Sequence, residues 1–214
     1  MTNGLRSLGR NHVVDRILFL LGGPSAAGKT SVALALDLSD PELDLIPRHT
    51  TRRVRGVPAD RSEYVFVSPS AFDVMAKSGR FIEYRHYGFG MSYGLDRELV
   101  DRSMRRGHDC IAILNLGSLQ QARANWLSAV TIYLSVDLRV LEDRMLSRGD
   151  HTEEQIAERL TNARLGVAES SEYDFVVSNE GSLDTTVDAI RDIVKAVRAE
   201  RLVGDSPRAE HRCD

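Results

Sequence analysis

Eight consecutive residues, Gly23-Pro24-Ser25-Ala26-Ala27-Gly28-Lys29-Thr30, restrict what this chain can become more than any other feature. They match G-x-x-x-x-G-K-[ST] without a mismatch, follow the apolar run 17–21 and open a helical pattern over 29–38. A strand, a glycine-rich turn and a helix in that order make a phosphate cradle. Gly23 and Gly28 permit the dihedrals that curl successive amides around an anion. The helix aims its free N–H groups and positive dipole end at the same point. The residues assigned to the donor nucleotide are Gly23, Ser25, Ala26, Ala27, Gly28, Lys29, Thr30 and Ser31. Lys29 is expected to span the β- and γ-phosphates of ATP, and the Thr30 hydroxyl to meet Mg²⁺.

The rest of the chain agrees with that fold. Apolar runs at 17–21, 110–114, 130–134 and 175–178 alternate with helical patterns at 97–106, 118–125, 138–148, 153–168 and 183–203. Short apolar strands separated by helices predict an α/β fold, a parallel core sheet flanked by helices. Residues 48–95 interrupt the rhythm. They are rich in Arg, Tyr and Gly, with alternating segments at 64–67 and 81–84 around a helix near 71–77. An inserted subdomain with its own small antiparallel sheet is expected there. Thr152, followed by Glu154 and Gln155, marks a helix start. The expected organisation is a core of 13–47, 96–145 and 159–203, an acceptor-binding insertion at 48–95, a lid at 146–158 and flexible termini at 1–12 and 204–214.

Composition excludes several classes. A net charge of −3 over 214 residues gives no global attraction to nucleic acid. No apolar run is long enough to span a membrane. The run at 17–21 has charged neighbours and no cleavage site, which argues against a secretory signal. The two cysteines, Cys110 and Cys213, form neither a disulfide framework nor a metal spacing, so a cytoplasmic setting is expected. The 28 basic residues comprise 25 Arg and only three Lys, and Lys29 is one of the three. A chain that uses arginine almost everywhere keeps a compact ammonium in the phosphate loop.

The insertion carries Thr50-Thr51-Arg52-Arg53-Val54-Arg55, then Glu63-Tyr64-Val65-Phe66-Val67, then Phe81-Ile82-Glu83, then Tyr93-Gly94. In order and spacing these segments resemble the guanylate kinase family, and the likeness runs from about residue 17 to about residue 189. The resemblance implies that Arg52 and Arg55 fork onto the phosphate of a small phosphorylated acceptor, as guanidinium geometry suits. It implies hydroxyl contacts from Tyr64 and Tyr93 to the same phosphate. It also implies that Glu83 accepts from N1–H and the 2-amino group of guanine. Arg144, Arg148 and Arg159 lie in a segment similar to the family's lid, where converging cations stabilise the migrating phosphoryl group together with Lys29. Asn179 ends a segment similar to the family's last core strand and is placed beside the adenine of ATP. The implied partners are small molecules, for a monomer or homodimer, with no nucleic acid or membrane.

The departures from the family's pattern gather in the acceptor pocket. Arg48 stands where the family usually has Ser, and Leu95 where a Ser or Thr meets guanine O6. Ile113 and Asn115 replace two Asp residues, Pro58 replaces a Glu, and Ala26 replaces a loop glycine. Arg48, Leu95 and Asn115 are therefore counted with the acceptor-binding residues. Arg48-His49-Thr50-Thr51-Arg52 and Tyr93-Gly94-Leu95 look like ribose 1,5-bisphosphate phosphokinases, which makes a sugar bisphosphate the alternative acceptor. A non-catalytic binding module of the same fold is expected to shed loop and lid residues, and this chain keeps them. The leading expectation is ATP-dependent phosphoryl transfer to GMP or dGMP.

Overall fold

The computed structural model describes residues 16–53, 63–87, 90–148 and 152–204, without the side chains of Arg148 and Val203. Its centre is a five-stranded parallel sheet in the order β2-β7-β1-β8-β9. The strands are β1 (Leu18–Gly22), β2 (Leu43–Leu45), β7 (Asp109–Ile113), β8 (Val130–Ser135) and β9 (Phe175–Ser178). Both faces of the central strands are covered. Phe19, Leu21, Ile111, Ile113, Ile132 and Leu134 pack on one face with Val32, Leu36, Ile190 and Val194. Leu18, Leu20, Cys110, Ala112 and Leu114 face the other way, onto Val100, Leu119 and Ala122. Strands buried on both faces read as continuous apolar runs rather than alternating ones, which made β1, β7 and β8 recognisable in the sequence; β9 was recognisable as an apolar run although its Val176 is exposed. β2, with the sequence LDL, was not. It is a strand because it pairs with β7, Leu43 opposite Asp109 and Leu45 opposite Ile111.

Helix α1 (Lys29–Ser39) leaves the phosphate loop, its N-cap Gly28 at φ 87° with no side-chain cap. An uncapped start leaves the first-turn N–H groups unclaimed by the protein. Helix α4 (Leu119–Asn125) precedes β8, and α5 (Leu138–Arg148) and α6 (Glu153–Glu169) contain the two ends of the segment expected to be a lid. α6 opens on the expected residue, because Thr152 accepts from the Gln155 amide while the Gln155 side chain accepts from the Thr152 N–H. α7 (Leu183–Gly204) packs on α1.

The insertion carries β3 (Arg48–Thr50), β4 (Tyr64–Phe66), β5 (Phe81–His86) and β6 (Ser92–Asp96) in the order β4-β3-β6-β5. This sheet is mixed rather than antiparallel, which corrects the sequence expectation. β6 runs antiparallel to β3 and β5, but β3 and β4 are parallel, Arg48 opposite Tyr64 and Thr50 opposite Phe66. Alternation within a segment sets which face is buried but not the direction of its neighbour. Helix α2 (Pro69–Lys77) lies on this sheet and starts two residues before the expected 71–77, because Ser68 caps it and Pro69 suits the first helical position. Asp96 ends the insertion and begins α3 (Arg97–Arg105), accepting from Glu98 N–H as the helix cap.

Candidate active site

The donor cradle is built by backbone shape. Gly28 has φ 87°, and a Cβ there would meet Asn179 Nδ2 at 2.5 Å. A Cβ on Gly23 would lie 2.7 Å from the carbonyl of Leu134. Both glycines are therefore required by close approach as well as by dihedral. Ala26 adopts φ 63°, the left-handed region, without being glycine. The loop is braced from below by Asn179, which donates to Ala27 O at 2.6 Å and accepts from Thr186 Oγ1 at 2.7 Å. Asn179 is thus a brace of the cradle with at most one N–H to spare.

Lys29 turns back on its loop, donating to Gly23 O at 2.8 Å and Pro24 O at 2.6 Å. Desolvation, followed by the nearby charges of Arg48 and Arg159, lowers its pKa to about 7. Lys29 comes from the loop, Arg48 from β3 and Arg159 from α6. Arg159 reaches the Ser25 hydroxyl, and Arg144 donates to Asn179 O at 2.8 Å. The Arg148 side chain and the whole of Arg55 lie outside the described residues, so the expected Arg144–Arg148 face and Arg52–Arg55 fork are not described.

The acceptor side is a stack of rings and guanidinium groups. Tyr64 and Tyr93 lie with ring centroids 5.9 Å apart. The Arg52 guanidinium lies 4.4 Å from the Tyr64 centroid, and that of Arg48 lies 5.1 Å from Tyr93. Such contacts hold a guanidinium while leaving N–H edges for a ligand. Burial pushes the Tyr64 hydroxyl above its ordinary pKa, so it remains a donor at neutral pH.

Glu83 is completely buried. Its oxygens accept from Asn115 Nδ2 at 3.0 and 3.3 Å, and Arg48 stands 3.6 Å away. Burial raises its pKa, while Arg48 and the Asn115 and Ser118 hydrogen bonds oppose that rise. Asn115 Oδ1 in turn accepts from Tyr87 OH at 3.2 Å. Leu95, opposite Glu83 in the β5–β6 pairing, is wholly buried and clusters with Ile82, Val100 and Leu114.

Two site residues went unassigned in the sequence. Glu63 accepts from Thr30 Oγ1 at 3.1 Å, joining the insertion to the loop. Its only signal was its place beside Tyr64. Tyr87 contacts Asn115 and, with a centroid separation of 5.8 Å, Tyr93. No motif marked it.

Thr30 and Glu63 together offer a hydroxyl and a carboxylate, hard oxygen donors of the kind Mg²⁺ takes alongside phosphates and water. Ile113, 9% exposed at the end of β7, supplies no ligand. Among the described residues no group of three His, Cys, Asp or Glu could hold a metal by itself. The residues present thus suit a cation that arrives with a nucleotide. No helix of the described residues is long and apolar enough to cross a membrane.

Comparison with known proteins gives consistent matches. The family model described as guanylate kinase matches residues 15–197. A guanylate kinase of Polaromonas sp. (strain JS666 / ATCC BAA-500) is 33% identical over 194 residues, covering 90% of this chain and 93% of that protein. One from Hahella chejuensis (strain KCTC 2396) is 34% identical over 186 residues, covering 86% and 87%. In fold, the chain matches the crystal structure of guanylate kinase from Anaplasma phagocytophilum with a TM-score of 0.65 at 22% identity, covering 86% of each chain.

Proposed function

The chain belongs to the guanylate kinase family, and we propose that its reaction is transfer of the γ-phosphoryl group of ATP to GMP or dGMP. The observation that carries this reading is the meeting at the phosphate loop of Lys29, which turns back onto Gly23 and Pro24, and Arg159, which reaches the Ser25 hydroxyl from a distant helix. Two cations brought together around a loop of free amides are an arrangement that a transferring phosphoryl group would neutralise.

In this mechanism the loop amides and Lys29 hold the donor phosphates. Arg52, Tyr64 and Tyr93 orient the acceptor phosphate, with Arg55 as a further partner. Asn115 orders the pocket by tying Glu83 to Tyr87, and Glu83 accepts from the base. Arg144, Arg148 and Arg159 close on the migrating group from the lid. Thr30, with Glu63 beside it, would hold Mg²⁺, which when bound neutralises charge on the phosphates. Attack by an acceptor phosphate oxygen needs no covalent enzyme intermediate, so positioning and charge carry the catalysis. A small-molecule reaction that draws on ATP fits a cytoplasmic setting, which cell fractionation can test.

An ADP-release assay over GMP, dGMP, AMP, CMP, UMP and sugar phosphates tests the reading. Turnover of GMP and dGMP is expected. Turnover confined to a sugar phosphate, or to none of them, overturns it.

A further inference from the structure

Arg48 is 6% exposed, and two of its guanidinium nitrogens, Nε and one Nη, are buried without a hydrogen-bond partner. Its contact with Glu83 is a single approach of 3.6 Å, longer than a direct hydrogen bond. The Glu83 oxygens share the Asn115 Nδ2 donor and keep lone pairs for one more. Arg48 is therefore poorly explained as the counter-ion of Glu83 alone. A buried N–H without an acceptor is a standing cost that a ligand oxygen would remove. The surroundings fix where that ligand lies. Arg48 faces Tyr93 on one side and Glu83 on another, and its charge reaches Lys29, Tyr64 and Tyr87. It thus lies in the acceptor cleft between the carboxylate and the phosphate loop.

The pocket presents buried donors on Arg48 and, 3.6 Å away, a buried acceptor on Glu83. A planar edge that satisfies both must carry an acceptor next to a donor. A 6-oxopurine does, with its oxo oxygen adjacent to N1–H. A 6-aminopurine offers an amino donor to Arg48 and a bare ring nitrogen to Glu83, so both contacts are lost.

We propose that Arg48 is a specificity-determining residue that donates to the 6-oxo oxygen of the acceptor purine while Glu83 takes the neighbouring N–H. This rests on the nucleoside monophosphate reading above and adds to it the residue that rejects 6-amino bases.

The test compares kcat/KM for GMP and 6-thio-GMP, at saturating ATP, in the full chain and in Arg48→Met and Arg48→Lys. The thio analogue keeps both N–H donors and replaces only the oxygen by a weaker acceptor. The unaltered protein is expected to prefer GMP by at least about tenfold. Arg48→Met should lower kcat/KM for GMP about tenfold to a hundredfold, the worth of a hydrogen bond to a charged donor. It should barely change 6-thio-GMP, so the ratio falls towards one. Unaltered thermal protection by ATP shows that the variant is folded. An equal loss with both acceptors means that Arg48 only packs the pocket, and overturns the proposal. So does a variant that loses only a bisphosphorylated sugar. Should Arg48→Met not fold, Arg48→Lys decides: a ratio below that of the unaltered protein is expected, and an unchanged ratio overturns the proposal. Absence of GMP turnover in the unaltered chain sinks the monophosphate reading and this proposal together. A GMP kinase whose ratio never moves sinks this proposal alone.

Discussion

Asn179, at the end of the last core strand, holds the carbonyl of Ala27 at 2.6 Å across 152 positions of sequence. The same amide accepts from Thr186 at 2.7 Å, so both ends of one side chain fix the underside of the phosphate loop. Asn179→Ala is expected to weaken ATP binding about tenfold, consistent with the loss of one or two buried hydrogen bonds worth about 1 kcal/mol each. GMP binding should change far less. Calorimetric titration with each nucleotide checks this, and equal weakening of both would contradict the brace.

Ala26 holds a left-handed backbone at φ 63° where the family has glycine. That conformation costs a non-glycine residue about 1–2 kcal/mol, against about 0.5–1 kcal/mol of added chain entropy for glycine. Ala26→Gly should therefore raise stability slightly, by about 0.5 kcal/mol. Urea unfolding reports it, and a clear loss of stability would rule out strain at this position.

Leu95 is wholly buried under the acceptor sheet. Leu95→Ser should not improve GMP turnover, although it restores a family-like hydroxyl. It should instead destabilise the chain by about 2–4 kcal/mol, as large-to-small core changes do. Thermal unfolding and the kinase assay together decide between the two outcomes.

Lys29 has a folded pKa near 7, below the ordinary 10.5. The unfolded chain then binds the extra proton between those values, so this residue makes stability rise with pH from about 7 towards 10. Below pH 7 its penalty is fully present. In Lys29→Met the penalty is gone. The Tm of the variant minus that of the parent should be largest at pH 6–7 and shrink by pH 10. A difference that is flat with pH would refute the assignment.

Glu63 meets Thr30 at 3.1 Å from the insertion side. If it helps hold the cation, Glu63→Gln should raise the Mg²⁺ concentration for half-maximal rate several-fold and weaken Mg·ATP binding measured by calorimetry. Unchanged values in both would leave Glu63 as a tether between the two parts of the fold.

The phosphate loop was legible because its signal is local: a motif, a strand before it and a helix after it. The same holds for Thr152, whose capping residues are near neighbours. The acceptor pocket was legible only in part. Arg48 and Asn115 stood out as unusual residues, but their meeting at Glu83 depends on β3, β5 and the end of β7 coming together. β2 and β3 escaped notice because LDL and RHT carry charge and have three residues each. Their strand character comes from partners, not from propensity. Leu95 shares the face of β6 that carries Tyr93 and lies opposite Glu83, yet it is wholly buried, a depth that its place after Tyr93-Gly94 did not reveal.

The parallel sheet also sets an order of events. β1 is the first of the described strands to be made and the central one, yet Leu18 must wait for Cys110 and Phe19 for Val130. Asn179, the brace of the phosphate loop that follows β1, is translated later still. During synthesis the stretch LFLL has no native sheet partner, and the ATP cradle has no floor until the last core strand has left the ribosome. Nucleotide binding is thereby a property that the growing chain gains late, after the acceptor insertion has been made.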